Sequence, residues 1–369
     1  MDRVRPVAPR LTGLKPYDPH YLASRIYLNA NESPFDMPKP VRERLEGFVG
    51  AASLHRYPDP LAHELVSALA REHGVTEECV LVGNGGDELL LNILLAFGGA
   101  GRTMLDMPPT FSVYAFDALL TSTQVVSVAR LPVADAPDGV GAPRFKPDVA
   151  SLHTAARGGE FDVAFVTSPN NPTGECVEPD DIRALLEATD ALVVVDHAYI
   201  EFADGRFDMS REVAVHKNLA VLRTFSKAYG LAGLRVGYLI ASPEVVGALR
   251  AVRQPYSVNS LSAFAARAAL EERAAYAVQL ESLRRERERL FASLRALGVA
   301  VAPSEANYLL MRVPDAPALW QALHVRYGIL VRDVSALPAL AGCLRVTVGT
   351  RQENDLFLAA LAALLEGGS

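Results

Sequence analysis

Short apolar segments of strand type alternate with helix-type segments between residues 80 and 240 of this 369-residue chain. Several of the predicted strands are followed by a polar, proline-rich or glycine-rich loop and then by a helix. Crossovers of this kind join parallel strands, so the alternation predicts an α/β fold with a mostly parallel sheet flanked by helices. The predicted strands are residues 80–82, 104–105, 125–128, 163–167, 192–195, 219–222 and 236–240.

Composition and charge exclude several classes of function. The chain is 50% hydrophobic and 21% charged, as in ordinary globular proteins, and its net charge of −7 argues against nucleic acid as a partner. The segment Met1–Pro6 lacks a signal-peptide core, and no run of about 18 apolar residues occurs, so we expect no membrane span. Three widely spaced cysteines (Cys79, Cys176 and Cys343) predict neither a metal site nor a disulfide framework. This fits a cytoplasmic protein.

The length suggests two domains at about 150 residues each. Residues 1–28 carry four prolines with little periodicity and are predicted to form an extended arm, either solvated or lying on a partner. Residues 45–255 are predicted to form the large domain. Beyond residue 255 the pattern changes to a long helix over 263–297, followed by a mixture of strands and helices. Residues 29–44 and 256–369 are therefore predicted to form a smaller α+β domain.

Lys227 lies between a buried strand and a glycine-rich turn, within the segment T-F-S-K-A-Y-G-L-A-G-L-R (224–235). Lysine is rarely fully buried, so one interpretation is a solvated strand end. The other is an amine that is neutral part of the time and forms a Schiff base with an aldehyde. Thr224, Ser226 and Arg235 supply donors suited to a phosphate. A Schiff-base lysine surrounded by phosphate ligands suggests pyridoxal phosphate.

Two further segments have both an ordinary and a functional interpretation. Gly85-Gly86-Asp87 opens a helix after a strand; free N–H groups there can bind a phosphate, although such turns are common. Asp196 ends a buried strand, one helix and one strand before Lys227. It is either a turn residue or the partner of a protonated pyridine nitrogen, with Tyr199 placed to donate to the 3-oxygen of the same ring.

Asn171 and two arginines also leave alternatives open. Asn171 precedes Pro172, and an ordinary Asn-Pro turn would explain it. Arg332 and Arg345 each lie in or beside an apolar strand. Paired arginines can bind a carboxylate or phosphate in bidentate fashion, or they can form surface ion pairs. Their apolar neighbours favour the ligand interpretation.

Together the motifs resemble the fold-type I aminotransferases. The resemblance rests on S-P-N-N-P-T-G (168–174), V-V-V-D-H-A-Y (193–199), the segment 224–235 and C-L-R-V-T-V-G-T (343–350). More narrowly, the chain is similar to the histidinol-phosphate aminotransferases in L-N-A-N-E-S-P (28–34), R-Y-P (56–58), G-N-G-G-D-E (83–88), P-P-T-F (108–111), Q-P-Y-S-V-N (254–259), E-A-N-Y (305–308) and G-I-L-V-R-D (328–333). The similarity extends from about residue 17 to residue 350.

The resemblance implies how pyridoxal phosphate would be held. Lys227 would form the Schiff base and carry the proton, Asp196 would pair with the pyridine nitrogen, and Asn171 and Tyr199 would bond the 3-oxygen. Phe111 would stack on the ring, where many relatives have tyrosine. The residues implied to bind the cofactor phosphate are Gly86, Asp87, Thr224, Ser226 and Arg235, with Tyr57 from the other subunit of a homodimer that shares its active sites.

The resemblance also implies the substrates, which are a small-molecule amino donor and a 2-oxo acid. Histidinol phosphate and 2-oxoglutarate are the implied pair, bound by Tyr17, Asn31, Arg332 and Arg345. An aromatic amino-acid aminotransferase and a phosphothreonine-type decarboxylase are alternatives on the same fold. A pyridoxal-binding regulator is a further alternative outside the enzymes, but the 28 residues of the arm leave no room for a DNA-binding domain.

One position departs from the family pattern, because His197 stands where relatives usually have glutamate after the aspartate. Neighbouring side chains on a strand point to opposite faces, so we expect His197 to point away from the ring that Asp196 faces. The loss of a negative charge there alters the electrostatics beside the counter-ion of the ring.

Overall fold

The computed structural model describes residues 7–14, 22–133 and 141–366. Its strands are β1 (Ile26–Leu28), β2 (Val80–Gly83), β3 (Thr103–Asp106), β4 (Gln124–Ser127), β5 (Leu131–Pro132), β6 (Phe145–Lys146), β7 (Val163–Thr167), β8 (Leu192–Asp196), β9 (Leu219–Thr224), β10 (Gly237–Ala241), β11 (Ala300–Val301), β12 (Tyr308–Arg312), β13 (Ile329–Asp333) and β14 (Cys343–Thr347). Its α-helices are α1 (Lys39–Ala51), α2 (His63–His73), α3 (Gly85–Phe97), α4 (Val113–Thr121), α5 (Val149–Gly158), α6 (Pro179–Ala188), α7 (Pro243–Val252), α8 (Ser260–Glu271), α9 (Arg273–Ala296), α10 (Ala316–Tyr327) and α11 (Arg351–Glu366).

A seven-stranded sheet in the order β2-β10-β9-β8-β7-β3-β4 forms the larger layer. Its strands run in the same direction except β10, which is antiparallel to both β2 and β9. Every residue of β7, β8, β9 and β10 is buried. Continuous apolar strands are expected where helices cover both faces of a sheet. The predicted α/β fold is therefore confirmed.

Helices cover this sheet on both faces. One face packs against α2, α5, α6 and α8, through residues such as Leu65, Leu152, Leu185 and Ala266. The other face packs against α3, α4 and α7. The amphipathic pattern of each helix places its apolar stripe on the sheet, and this burial orders the strand ends that carry the polar residues.

A second sheet of five strands has the order β1-β13-β14-β12-β11. β1 is parallel to β13, and the remaining pairs are antiparallel. Helices α9, α10 and α11 contribute Leu290, Leu323 and Phe357 to its core. β1 lies within the segment predicted to be an arm, so residues 26–28 are strand rather than arm. The proposed domain limits otherwise stay a prediction.

The prediction of a single long helix over residues 263–297 is wrong in the number of helices. Two helices, α8 and α9, occupy this stretch and are separated at Glu272. The buried face of α8 packs into the core of the seven-stranded sheet, whereas α9 packs beside the five-stranded sheet. A break lets consecutive helices cover different layers, which one straight helix cannot do.

The described part of the arm contacts its own chain. Arg10 Nε donates to the carbonyl oxygen of Leu120 at 3.0 Å, at the end of α4. Within the loop predicted over 131–147, β5 and β6 pair as a short antiparallel ribbon. Among the described residues no helix is long and apolar enough to cross a membrane.

Candidate active site

The two sheets meet at a cavity of about 280 Å³. Thr167, Asp196 and Thr224 line it, and they are the last residues of the parallel strands β7, β8 and β9. Arg332 on β13 and Arg345 on β14 line it from the five-stranded sheet. Ligands in open α/β sheets bind outside the carboxyl ends of the strands, and this cavity occupies that position.

The cavity gathers nearly all of the residues that the sequence predicts for the site. Those that line it are Asn31, Gly86, Asp87, Phe111, Asn171, Asp196, Tyr199, Thr224, Ser226, Lys227, Arg235, Arg332 and Arg345. Tyr57 does not line it. Its side chain is 80% exposed and stacks on Tyr256 with ring centroids 4.6 Å apart. Tyr17 lies outside the described residues.

Lys227 follows the end of β9, and its side chain is half-buried in the cavity wall. Its Nζ donates to the carbonyl oxygen of Ala30 at 2.9 Å and lies 5.9 Å from the centre of the Tyr199 ring. Burial and the positive charge of Arg345 lower the pKa of Lys227 to about 8. Close to neutral pH a much larger fraction of this amine is unprotonated than in an exposed lysine, as a nucleophile requires.

Asp196 is buried and accepts hydrogen bonds on both carboxylate oxygens. The Tyr114 hydroxyl donates to Oδ2 at 2.6 Å, and the Ala198 N–H donates to Oδ1 at 3.0 Å. Burial raises the pKa of Asp196 to about 6, while these two hydrogen bonds act in the opposite direction. The carboxylate form therefore predominates at neutral pH.

Tyr199 is fixed through a buried network that begins at Asn31. Asn31 Nδ2 donates to the Tyr199 hydroxyl at 3.0 Å, and the Thr347 hydroxyl donates to Asn31 Oδ1 at 3.1 Å. Asn31 has a φ of 54°, a left-handed conformation that asparagine tolerates better than most residues. Residues of the five-stranded sheet and of the turn after β1 thus hold the Tyr199 hydroxyl in the cavity.

Arg332 and Arg345 occupy directly opposite positions on the neighbouring strands β13 and β14. Arg345 is buried and donates from Nη1 to Asn171 Oδ1 at 2.5 Å and from Nη2 to the Asn29 carbonyl oxygen at 2.6 Å. Opposite residues on paired strands project from the same face of a sheet. The two guanidinium groups therefore give this wall of the cavity a strong positive potential, suited to an anionic ligand.

The opposite end of the cavity is built around the start of α3. The side chain of Asn84, which precedes the helix, does not cap it, and the N–H groups of the first turn have no intrahelical acceptor. Arg235 lies against the same turn, with Nη2 2.8 Å from Asp87 Oδ2. Gly85 has a φ of 80°, in the left-handed region that favours glycine, and a Cβ there would come within 2.5 Å of this guanidinium. Such a turn binds anions.

His197 points away from the cavity, as its place on the strand predicts. It is fully buried; Nδ1 lies 2.6 Å from the Ser168 carbonyl oxygen, and Nε2 accepts from the Met209 N–H at 3.1 Å. These partners require the neutral tautomer with its proton on Nδ1. Burial lowers the pKa of His197 to about 4, which keeps it neutral.

Comparison with known proteins identifies the family. Residues 24–361 match the family model described as aminotransferase class I and II. The chain belongs to this aminotransferase family. A histidinol-phosphate aminotransferase of Carboxydothermus hydrogenoformans is 39% identical over 95% of this chain and 96% of that protein. One from Paenarthrobacter aurescens is 38% identical over 100% of this chain and 96% of that protein.

Solved structures confirm the fold of this aminotransferase. The histidinol-phosphate aminotransferase of Sinorhizobium meliloti, solved with pyridoxal 5′-phosphate, superposes with a TM-score of 0.86 at 24% identity and covers 100% of both chains. The L-threonine-O-3-phosphate decarboxylase of Porphyromonas gingivalis has a TM-score of 0.79 at 25% identity, covering 92% of this chain and 99% of that chain. The fold is therefore that of the fold-type I enzymes.

The aminotransferase depends on pyridoxal phosphate, and its cavity fits that cofactor. The amine of Lys227 has the lowered pKa that an aldehyde partner needs. The carboxylate of Asp196 is buried, and its two hydrogen bonds come from neutral donors, which suits an additional cationic partner. The first-turn N–H groups of α3, together with Arg235, offer a phosphate site.

The sequence did not predict three contributors to the aminotransferase site. Tyr114 donates to Asp196 from α4, and the carbonyl oxygens of Asn29 and Ala30 hold Arg345 and Lys227. A tyrosine within a mostly apolar helix is a weak signal, and its partner lies 82 residues further along the chain. Backbone carbonyls carry no sequence signal at all.

Proposed function

We propose that this aminotransferase moves an amino group between L-histidinol phosphate and 2-oxoglutarate, giving imidazole acetol phosphate and glutamate, as a step of histidine biosynthesis. The pairing of Arg332 with Arg345 on the cavity wall carries the proposal, because one site must accept a phosphate in one half-reaction and a carboxylate in the other. Relatives bearing this activity in their names, at 35% to 39% identity over nearly the whole chain, support it.

When bound, pyridoxal phosphate supplies an aldehyde carbon and an electron-withdrawing ring next to the Cα of the substrate. Lys227 would bind that aldehyde, and its amine would hold and move the proton at the substrate Cα. Asp196 would pair with the pyridine nitrogen, and Asn171 and Tyr199 would bond the 3-oxygen. Phe111 would lie against the ring and exclude water from it.

The cofactor phosphate is assigned to the start of α3 and to the loop around Lys227. The positive potential of this site comes from the guanidinium of Arg235 and from the N–H groups of the first turn of α3. The residues assigned to it are Gly86, Asp87, Thr224, Ser226 and Arg235.

The opposite wall is assigned to the substrates. Arg345 binds the carboxylate of glutamate, and together with Arg332 and Tyr17 it binds the phosphate of the other donor. Asn31 fixes the ring of Tyr199 beside them. Because Arg345 already bonds Asn171 and Asn29, its guanidinium is held in place before a substrate arrives, which lowers the entropy cost of binding.

We also propose that the enzyme is a cytoplasmic homodimer in which Tyr57 of the partner subunit reaches the cofactor phosphate. The support is the position of Tyr57, which is exposed, lies outside its own cavity and stacks on Tyr256, while Leu54 nearby in the chain is 66% exposed. Contiguous exposed apolar and aromatic groups are typical of protein interfaces. Cys79, Cys176 and Cys343 are unpaired, in keeping with a reducing compartment.

A phosphothreonine-type decarboxylase is the second candidate, because the same arginine pair would hold its phosphate. Steady-state kinetics with histidinol phosphate, phenylalanine and phosphothreonine, each with 2-oxoglutarate, separates the candidates. We expect the highest kcat/KM with histidinol phosphate. A preference for phenylalanine would indicate an aromatic aminotransferase, and carbon dioxide release from phosphothreonine would indicate the decarboxylase; either result would refute the proposed substrate.

A further inference from the structure

Tyr114 is fully buried on α4, one layer behind the cavity, and its hydroxyl contacts two site residues. It donates to Asp196 Oδ2 at 2.6 Å and lies 2.8 Å from Thr167 Oγ1. The Thr110 hydroxyl, 3.2 Å from Thr167 Oγ1, donates its own proton to Asn170 Oδ1 at 2.9 Å. Each hydroxyl has one proton, and an ionised carboxylate only accepts, so the proton of Tyr114 points to Asp196.

The ring of Tyr114 is fixed on two sides. It stacks on Phe165 with ring centroids 4.7 Å apart and an interplanar angle of 5°. Phe111, which lines the cavity, meets its edge at 5.6 Å and 87°. Close packing on both sides leaves one position for the hydroxyl, so the carboxylate that it contacts is held in one orientation.

We infer that Tyr114 is a positioning residue of the aminotransferase, which orients Asp196 toward the pyridine nitrogen and stabilises its carboxylate form. The inference rests on the proposed role of Asp196. A hydrogen bond from a neutral donor to a buried carboxylate favours the ionised state. An ionised Asp196 in turn keeps the pyridine nitrogen protonated, which makes the ring a better electron acceptor.

The surroundings of Asp196 explain why this contact matters. Burial raises the pKa of Asp196, and the negative charge of Asp87 on α3 raises it further. The hydrogen bond from Tyr114 opposes both effects, and so does the Ala198 N–H. Among the described residues that line the cavity, the other titratable or charged groups are Tyr199, Lys227, Arg223, Arg235, Arg332 and Arg345. Without the Tyr114 hydroxyl, Oδ2 loses its donor and the pKa of Asp196 rises further.

Tyr114→Phe tests the inference, with Tyr276→Phe as the matched control. Tyr276 is also buried, and its hydroxyl has no hydrogen-bond partner among the described residues. We expect Tyr114→Phe to weaken pyridoxal phosphate binding to the cofactor-free protein by roughly tenfold, the equivalent of one lost charge-assisted hydrogen bond. We expect kcat to fall by a similar factor with little change in KM, and Tyr276→Phe to leave all three values within about twofold of the parent.

Two pH-dependent measurements separate a positioning role from loss of packing. In the loaded enzyme, the pH midpoint at which the visible absorbance of the bound cofactor changes should be higher in Tyr114→Phe than in the parent. This is expected because a less protonated pyridine nitrogen withdraws less electron density from the rest of the cofactor. In the cofactor-free protein, the destabilisation by Tyr114→Phe should be larger at pH 8, where Asp196 is ionised, than at pH 5. Destabilisation that is equal at the two pH values, together with an unshifted absorbance titration, would overturn the inference.

Asp196→Asn distinguishes failure of this inference from failure of the proposed function. If Asp196→Asn changes neither cofactor affinity nor the absorbance titration, the role of Asp196 is wrong and the inference falls with it. If Asp196→Asn changes both while Tyr114→Phe matches Tyr276→Phe, only the role of Tyr114 is refuted. In the double variant, Tyr114→Phe should add little to Asp196→Asn, since both remove the same interaction.

Discussion

The amine of Lys227 donates to the backbone carbonyl of Ala30 at 2.9 Å, although the two residues are 197 positions apart. Ala30 follows β1 of the five-stranded sheet, whereas Lys227 follows β9 of the seven-stranded sheet. The contact joins the two layers at the floor of the cavity. The carbonyl oxygen of Ala30 thus fixes the orientation of the reactive amine. Because this acceptor is neutral, it stabilises the protonated amine less than a carboxylate would.

Replacement of Lys227 by alanine should abolish covalent attachment of pyridoxal phosphate and lower turnover by roughly 10²- to 10⁴-fold or more, since both the nucleophile and the proton carrier are lost. Borohydride reduction followed by peptide mass analysis measures the attachment. Lys217→Ala, which removes an exposed lysine, is the control and should behave as the parent enzyme. Attachment retained in Lys227→Ala would show that another residue binds the aldehyde.

The amine of Lys227 should titrate well below an ordinary lysine. Burial and Arg345 lower its pKa to about 8, so the rate of trapping by a simple aldehyde and borohydride should rise with pH through about 8 in the cofactor-free protein. Arg345→Gln removes a positive charge that favours the neutral amine and should move the midpoint upward. A midpoint that stays near that of exposed lysines would contradict this assignment.

Arg332→Ala should discriminate between the two amino donors. Loss of a charge-assisted contact of about 1.5–3 kcal/mol corresponds to a decrease in kcat/KM of roughly 10- to 100-fold for histidinol phosphate. The decrease for glutamate should be only a few-fold, because Arg345 is proposed to bind its carboxylate. Arg312→Ala, an exposed arginine on β12 of the same sheet, is the control. Equal losses for both donors would remove the role assigned to Arg332.

Gly237→Ala should damage the phosphate end of the cavity. A Cβ at this position would lie 2.6 Å from the backbone of Gly85 and of Gly86, so the start of α3 would have to move. Overpacking of this kind costs about 1–3 kcal/mol, and we expect weaker binding of pyridoxal phosphate together with a lower melting temperature. Gly233→Ala, where a Cβ meets no atom within 4 Å, should change neither property. Calorimetry and a cofactor titration measure the two effects.

Acid should destabilise the protein through the buried His197 and the half-buried His73. His197 has a pKa of about 4 in the folded protein, compared with an ordinary 6.5, so between these values the unfolded chain binds a proton that the native state does not. The contribution of the neutral His197 to the free energy of unfolding is therefore fully present above about pH 6.5. It decreases by about 3 kcal/mol as the pH falls to 4. His73, with a pKa also near 4, contributes in the same direction.

Chemical denaturation of the cofactor-free protein at a series of pH values measures this loss. The His197→Gln variant should have a lower free energy of unfolding than the parent at pH 7, because one of the two buried hydrogen bonds of His197 is lost. Its free energy of unfolding should also fall less steeply than that of the parent below pH 6.5. His73 remains in that variant and leaves part of the slope. An unchanged slope in His197→Gln would show that this histidine is protonated in the folded state or does not contribute.

The local pattern of the sequence was sufficient to predict the parallel sheet, its covering helices and the placement of the predicted cofactor residues at strand ends. Apolar periodicity decides these features, because it follows directly from which side chains must be buried. The glycine-rich turn before α3 and the polar residues after β8 and β9 follow from the same short-range rules.

Only the tertiary structure decided which distant groups complete the cavity. Tyr114 meets Asp196, and the Ala30 carbonyl meets Lys227, because the packing of α4 and the junction of the two sheets bring them together. The break between α8 and α9 arises in the same way, since the two helices cover different layers. Local sequence encodes which face of each element is buried, but the partner across the interface depends on how whole layers pack.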